Sequence, residues 1–503
     1  MKEADFLQEL KELDLLKQAM SILEWDAQTG MPDAAQDYRS EVDGYLSGLY
    51  FDKATGPKIA EALDYFAEHP EDLSEVGQAA YRLVKKEYEL NQAVPKDVMT
   101  AYSQAVSKAH GAWSKARQAN DFSLFRDALA DNIRLTKDLI RYQKKEQANA
   151  YDVLLDQYEP SLTTAELDQV FHRLREGIMA IRATLAEKGQ APAKDFLTRK
   201  MPKSGQQKFI TKVAEELGYD FDRGRLDDTI HPFATGINHN DVRITTRWRE
   251  KDFMTAIFGV IHEAGHGIYE QNIAEKYEYT PVHEGASMGI HESQSLFNEL
   301  IIGGSRQFWE KQYPFFKECT AGVFDDLPFI DFYRGMKHSQ SSLIRIEADS
   351  LTYPLHIIIR YEIEKELFNG TLTVDELPAV WKQKYQEYLG ITPPDDLTGI
   401  LQDVHWSGGM FGYFPSYALG YMYAAQLYHK MQETIDVATV LATDDYSPIR
   451  KWLTEKVHRF GASKTPSEII KDATGETLNP QYLLDYLQEL YFEVYQVQVI
   501  EHV

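Results

Sequence analysis

With 503 residues the chain can bury a large core, and its formal charge of −25, from 78 acidic against 53 basic residues, excludes nucleic acid as a partner, because that needs clustered positive charge. Its one cysteine, Cys319, rules out an intramolecular disulfide and reads as an inert core thiol. No stretch approaches the roughly 18 uninterrupted apolar residues of a membrane span, and the first 25 residues mix charged with apolar side chains instead of forming a signal-peptide core, so a cytoplasmic location without a membrane partner is expected.

The dominant period is helical. Phe6, Leu7, Leu10, Leu13, Leu16 and Ala19 recur at three- and four-residue spacings and predict an amphipathic helix over 2–23. Similar patterns predict helices near 76–91, 95–118, 122–148 and 163–187, with breaks at Met31-Pro32 and Ala93-Val94-Pro95. The stretch 188–206, with its Gly, Pro and Lys, is the candidate boundary between two lobes. Residues 229–249 lack the helical period and set β-branched side chains around Asn238-His239-Asn240, which predicts a short hairpin. Helices resume at 252–273, 290–302, 333–368 and 416–434, with a break at Ile391-Thr392-Pro393-Pro394. The fold class expected is mainly α, with a small sheet beside the 252–273 helix.

That helix carries His262-Glu263-Ala264-Gly265-His266, the HExxH zinc pattern. Two histidines four residues apart share one helix face, so both imidazoles can converge on one metal ion. Glu263 is rotated off the ligand line, as suits a carboxylate that must reach a metal-activated water without binding the metal. Phe253, Ile257, Val260 and Ile261 give the motif an apolar approach, and Gly265 and Gly267 keep it uncrowded. Each glycine costs about 1 kcal/mol of helix stability relative to alanine, a penalty that suits a tightly packed metal helix better than a surface one.

A catalytic zinc needs a third protein ligand and an open fourth position. The three-histidine extension would require Gly at 269 and His at 272, where the chain has Tyr269 and Asn272, so that subclass is excluded. A glutamate from the next helix remains, with Glu284, Glu292 and Glu299 competing. Glu292, near the start of that helix, is preferred. Glu284 lies in a Gly-rich turn, and Glu299 is deeper in the helix, where a solvated carboxylate is the default.

HEAGH followed by His291-Glu292-Ser293 resembles the M32 metallocarboxypeptidases, the thermostable carboxypeptidase Taq group. Further matches are Asp241-Val242-Arg243-Ile244-Thr245 to DxRxT, Ile344-Arg345-Ile346-Glu347-Ala348-Asp349 to IRxxAD, and Gly399 to Trp406 to GxxQDxHW. His231-Pro232-Phe233, Trp25-Asp26 and Met31-Pro32 also look familial, so the resemblance runs from about residue 22 to the carboxyl terminus. Ser161, after Tyr158-Glu159-Pro160, departs from the glycine expected there.

The resemblance implies a single peptidase domain over 1–503, mainly helical and two-lobed around a deep groove, similar to the neurolysin architecture and usually a homodimer. It implies zinc as cofactor, with cobalt able to substitute, and removal of single residues from free peptide carboxyl termini with broad specificity. His262, His266 and Glu292 would hold the metal, Glu263 would take the water's proton and pass it to the leaving amine, and His405 and Tyr417 would donate to the oxyanion, with Tyr413 the alternative phenol. Arg345 would grip the substrate carboxylate, and Arg243, on the predicted hairpin, is the runner-up. On a helix Arg345 would share a face with Asp349, Thr352 and His356, and a plain pairing of Arg345 with Asp349 is the competing structural reading. The remaining histidines, among them His110, His172, His239, His283 and His338, read as surface or core residues. Two other functions compete: an endo-oligopeptidase with the same metal site, and a noncatalytic, zinc-stabilised peptide-binding protein.

Overall fold

Apolar residues at helical spacing form helices along almost the whole chain. The computed structural model describes residues 2–498. They group into two compact units that interleave in sequence: residues up to Gln92, Lys194–Tyr333 and Tyr423–Thr477 in the first, and Ala93–Ala193, Arg334–Met422 and the described residues from Leu478 on in the second. One crossing between them falls within 188–206, but the chain crosses four further times, so no single linker separates the units.

The first unit opens with the helix Glu3–Thr29, which buries Phe6, Leu10 and Leu13. Its sheet has β1 (Leu226–Asp228), β2 (Ala234–Asn238) and β3 (Asp241–Thr246) in the order β1-β3-β2. β2 and β3 form the expected hairpin, antiparallel with Thr235 opposite Arg243, while β1 runs parallel to β3 with Leu226 opposite Ile244. The hairpin turns where Asn238 accepts a hydrogen bond from the Asn240 backbone N–H at 3.0 Å, a local side-chain turn.

The helix Phe253–Gln271 is capped by Asp252, which accepts from the Thr255 backbone N–H and hydroxyl at 3.3 and 2.6 Å. Its first residue, Phe253, is anchored in an aromatic cluster with Phe316, Phe324 and Phe332, ring centroids 5.4 to 6.4 Å away. Gly267 lets the helix lie close to the sheet side of the unit: a methyl there would stand 2.7 Å from the Tyr219 ring and 3.4 Å from Ile244. After the loop 272–287, Ser287 caps the helix Met288–Leu296 by accepting from the Ile290 N–H at 3.0 Å. That helix runs on into a π-helical segment, Phe297–Ile302, a wider turn frequent at functional sites. Cys319 is buried and free, with its thiol pKa raised by burial, as expected of a core thiol.

In the second unit the helices Lys96–Ala119, Ser123–Gln143, Ala150–Tyr158, Thr164–Lys188, Tyr353–Asn369, Leu377–Leu389 and Gln481–Val494 enclose a core that includes fully buried Arg360 and Glu364. The helix expected over 333–368 is not continuous. One helix ends at Met336, Arg345–Glu347 forms a single 3-10 turn, and the next helix begins at Tyr353 with Pro354 in its first turn. Proline disfavours a helical residue before it, and the serine-rich run from Ser339 to Ser342 favours local side-chain hydrogen bonds over helix. Asp349 supplies such bonds, accepting from the backbone N–H groups of Gln340, Leu351 and Thr352. Among the described residues no helix is long and apolar enough to cross a membrane.

Candidate active site

His262 and His266 sit one turn apart on the Phe253–Gln271 helix, their rings 4.9 Å apart and nearly perpendicular. Gly265 lets this helix approach the next. A methyl group built there would lie 2.6 Å from both the Gln294 carbonyl and the Ser295 Cα, so only glycine allows the Met288–Leu296 helix to come this near. The approach delivers Glu292: its Oε2 lies 3.7 Å from His262 Nε2 and 3.5 Å from His266 Nε2. Donors bound to one zinc at about 2.0–2.1 Å in tetrahedral geometry would be about 3.3 Å apart, so the cluster fits a cation.

The other ring nitrogens are already engaged. His262 Nδ1 meets Glu299 Oε2 at 2.7 Å. His266 Nδ1 meets His291 Nδ1 at 2.6 Å, and His291 Nε2 meets Glu270 Oε1 at 2.7 Å. If His291 Nε2 donates to the Glu270 carboxylate, its Nδ1 accepts from His266, which leaves the Nε2 lone pair of His266 facing Glu292. Outer partners of this kind fix the tautomer and orientation of metal-ligating histidines.

The three competing glutamates therefore separate. Glu292 offers its oxygen to the two Nε2 atoms, Glu299 holds His262 from behind, and Glu284 pairs with Lys17 at a half-exposed position. Glu299 is thus not the solvated carboxylate expected of its place in the helix. His291 and Glu270 were not anticipated from sequence. Glu270 stands four residues after His266, yet only the fold brings His291 between them.

Charge at the cluster favours a cation. Burial pushes Glu263 up to about 7, with Glu292 and Glu299 adding to the rise. Burial holds His266 down to about 4, in the neutral form a ligand needs. Burial also opposes charge on His262, but Glu292 and Glu299 outweigh it and lift the imidazole to about 10. Near neutrality His262 thus carries a proton held by Glu292 and Glu299, and a divalent ion at the cluster would take the place of that positive charge.

Arg243 lies on β3 in the same unit. Its guanidinium makes a forked pair with Asp241, at 2.8 and 2.7 Å, and stacks over Trp25 with 4.6 Å to the ring centroid.

The second unit brings together Arg345, His405, Tyr413 and Tyr417. Arg345 does not pair with Asp349, because the two are not on a common helix. Its Nε donates to Asp403 at 2.9 Å and its Nη1 to the Tyr353 hydroxyl at 3.0 Å. Arg360, fully buried, donates to the other oxygen of Asp403 at 2.6 Å. Two guanidinium groups hold the Asp403 carboxyl well below the usual range against the opposing effect of burial. His405 follows two residues later, its Nε2 3.2 Å from the Tyr417 hydroxyl. Burial lowers its pKa to about 4, and Arg345 and Arg360 add to the effect, so the ring is neutral near pH 7. Tyr413 packs edge-on against Tyr417 and Tyr158, with centroids 5.3 and 5.2 Å apart.

A family model described as carboxypeptidase Taq (M32) metallopeptidase matches residues 5–491. The chain is 49% identical over 494 residues to Carboxypeptidase 1 of Bacillus subtilis (strain 168), covering 98% of each chain. It is 35% identical over 482 residues to Thermostable carboxypeptidase 1 of Thermus thermophilus, covering 94% of each. Among solved structures, the M32 carboxypeptidase from Deinococcus radiodurans R1 superposes with a TM-score of 0.94 at 34% identity, over 98% of this chain and 99% of that one.

Proposed function

The chain belongs to the M32 metallopeptidase family and is a metallocarboxypeptidase, and from that premise we propose that it uses zinc, replaceable by cobalt, to remove single residues from the free carboxyl termini of peptides with broad specificity. The observation that carries this reading is the convergence of Glu292 Oε2 on the Nε2 atoms of His262 and His266, at 3.7 and 3.5 Å, with both Nδ1 atoms already engaged.

In this reading His262, His266 and Glu292 hold the metal. When bound, the metal supplies Lewis acidity, activating water and polarising the scissile carbonyl. Glu263, buried next to His262 and off the ligand line, takes the proton from the attacking water and returns it to the leaving amine. His405 and Tyr417 are the proposed hydrogen-bond donors to the oxyanion, with Tyr413 packed behind Tyr417. Arg345 is the proposed grip on the substrate carboxylate: Asp403 and Tyr353 engage its Nε and Nη1, and Nη2 is used by neither bond. Arg243 is the alternative, and its forked pairing with Asp241 makes it the weaker candidate. A cytoplasmic homodimer belongs to the same proposal, resting on the single cysteine and the family resemblance.

The test is mass spectrometry of an amino-blocked peptide and its carboxyl-amidated twin, each incubated with zinc-loaded protein and with a chelated control. A ladder losing one residue at a time from the free acid alone, abolished by chelation, is the expected result. Internal cuts in both peptides would replace this reading with an endo-oligopeptidase.

A further inference from the structure

We propose that His239, Glu278 and His283 form a second divalent-metal site in the first unit, distinct from the His262–His266–Glu292 cluster. One ligand atom from each of the three residues lies within 4.8 Å of the other two. His283 Nε2 is 3.3 Å from Glu278 Oε2, about the separation of two donors on one tetrahedral zinc. The His239 and His283 rings face each other edge-on, with centroids 5.7 Å apart.

The site also shows unmet hydrogen-bonding capacity. His239 Nδ1 and His283 Nε2 are both shielded from solvent and neither makes a hydrogen bond, and the His283 side chain is only 8% exposed. Leaving a buried ring nitrogen without a hydrogen bond is costly, and two of them in one cluster with a carboxylate call for a shared ligand. A cation accepting both lone pairs and one oxygen of Glu278 meets that need. The His239 backbone N–H donates to the Glu278 carboxylate at 3.3 Å, which orients the carboxylate from the outside, as the partners of metal ligands commonly do.

Neighbouring charges are compatible with a divalent ion. Asp14 adds a second carboxyl group nearby, its pKa raised by burial with Glu278 adding to the rise. Arg223 opposes, but its guanidinium is taken up by the backbone carbonyls of His239 and Gln271. Burial, with Arg223 adding to it, lowers the pKa of His239 and so favours the neutral ring that binds metal. Two imidazoles and a carboxylate suit zinc and its first-row neighbours better than calcium or magnesium.

The position gives the site a purpose. Glu278 and His283 lie in the loop 272–287, which joins the helix bearing His262 and His266 to the helix bearing Glu292. His239 lies in the turn between β2 and β3. A metal there staples the connecting loop to the hairpin and steadies the link between the two ligand helices.

The test measures bound zinc per chain in the full-length protein, after equilibration with zinc and removal of free ion, together with hydrogen exchange. Wild type is expected to hold two zinc ions, and H239A/H283A and H262A/H266A one each. In H262A/H266A, zinc should still slow amide exchange across residues 272–287. The milder E278Q keeps an acceptor for the His239 N–H, and it should lose the second ion while retaining the native circular dichroism spectrum. One zinc in wild type and none in H262A/H266A would overturn the proposal. So would a second zinc that persists in both H239A/H283A and E278Q. Either result leaves the reading of the catalytic cluster standing, because the ion of that cluster is read separately, as the zinc kept by H239A/H283A and lost in H262A/H266A.

Discussion

Glu263 and Glu299 are both carboxylates within reach of His262, yet the structure separates them by what they touch. Glu299 is tied to the Nδ1 of that histidine, whereas Glu263 is a buried carboxyl with a pKa raised to about 7. Replacing Glu263 with Gln is therefore expected to leave bound zinc unchanged while lowering kcat about 10²–10⁴-fold, the usual share of a general base. Steady-state kinetics beside metal analysis decides it, and substantial activity in a zinc-loaded variant would remove Glu263 from the mechanism. Glu299→Gln should act in the other direction. It is expected to weaken zinc about 10–100-fold in competition with a chelator, with a smaller effect on kcat once metal is saturating. An unchanged affinity would mean that the contact with His262 orients nothing.

At the scale of elements, two packing arrangements position these side chains. The first is the contact at Gly265. A methyl group 2.6 Å from the backbone of the neighbouring helix has nothing flexible to displace. Overpacking of that kind costs about 1–3 kcal/mol, against up to about 1 kcal/mol gained from alanine's helix propensity. Gly265→Ala should therefore lower both the melting temperature and zinc retention, because the helix that must move carries Glu292. The second is the Arg345–Asp403–Arg360 pair of ion pairs, with side chains 8%, 11% and 0% exposed. Asp403→Asn leaves two buried guanidinium groups short of a counter-charge and is expected to cost about 3–5 kcal/mol in denaturant unfolding. The pH dependence has a definite sign. The folded-state pKa of Asp403 is depressed, so its contribution is full above the ordinary carboxylate value near 3.9 and is lost as pH falls toward the depressed value. The stability gap between wild type and the variant should accordingly be constant near neutrality and narrow below about pH 4. A gap independent of pH down to acid would show that the charge is not what matters.

Over the whole molecule, the proposed metal ligands come from residues 262 to 292, while Arg345, His405 and Tyr417 belong to the other compact unit. A ligand that binds only the folded chain stabilises it by mass action, about 4 kcal/mol when present at about 1,000 times its dissociation constant. Chelation should lower the calorimetric melting temperature of the wild type, and added zinc should restore it. A melting temperature indifferent to chelator would argue against a tightly held ion.

The sequence by itself determined the helical character, the hairpin and the placing of His262 and His266 on one helix face, because each is written in spacings of two, three or four residues that local geometry converts directly into a face. The HEAGH helix and the β2–β3 hairpin were legible for that reason, whereas Glu292, far beyond His266 in the chain, was preferred for its place at the start of the next helix and for the resemblance of His291-Glu292-Ser293 to the family motif. Only the tertiary structure decided what depends on residues far apart in the chain. Arg345 meets Asp403 and not Asp349, because the run before Pro354 leaves the helix and a partner 58 positions away is brought alongside. His291 and Glu270 stand behind His266, and His239 reaches Glu278 and His283, through packing that no local period encodes. Helix and strand periods report which face is apolar; which polar groups meet across those faces is set by how the elements dock.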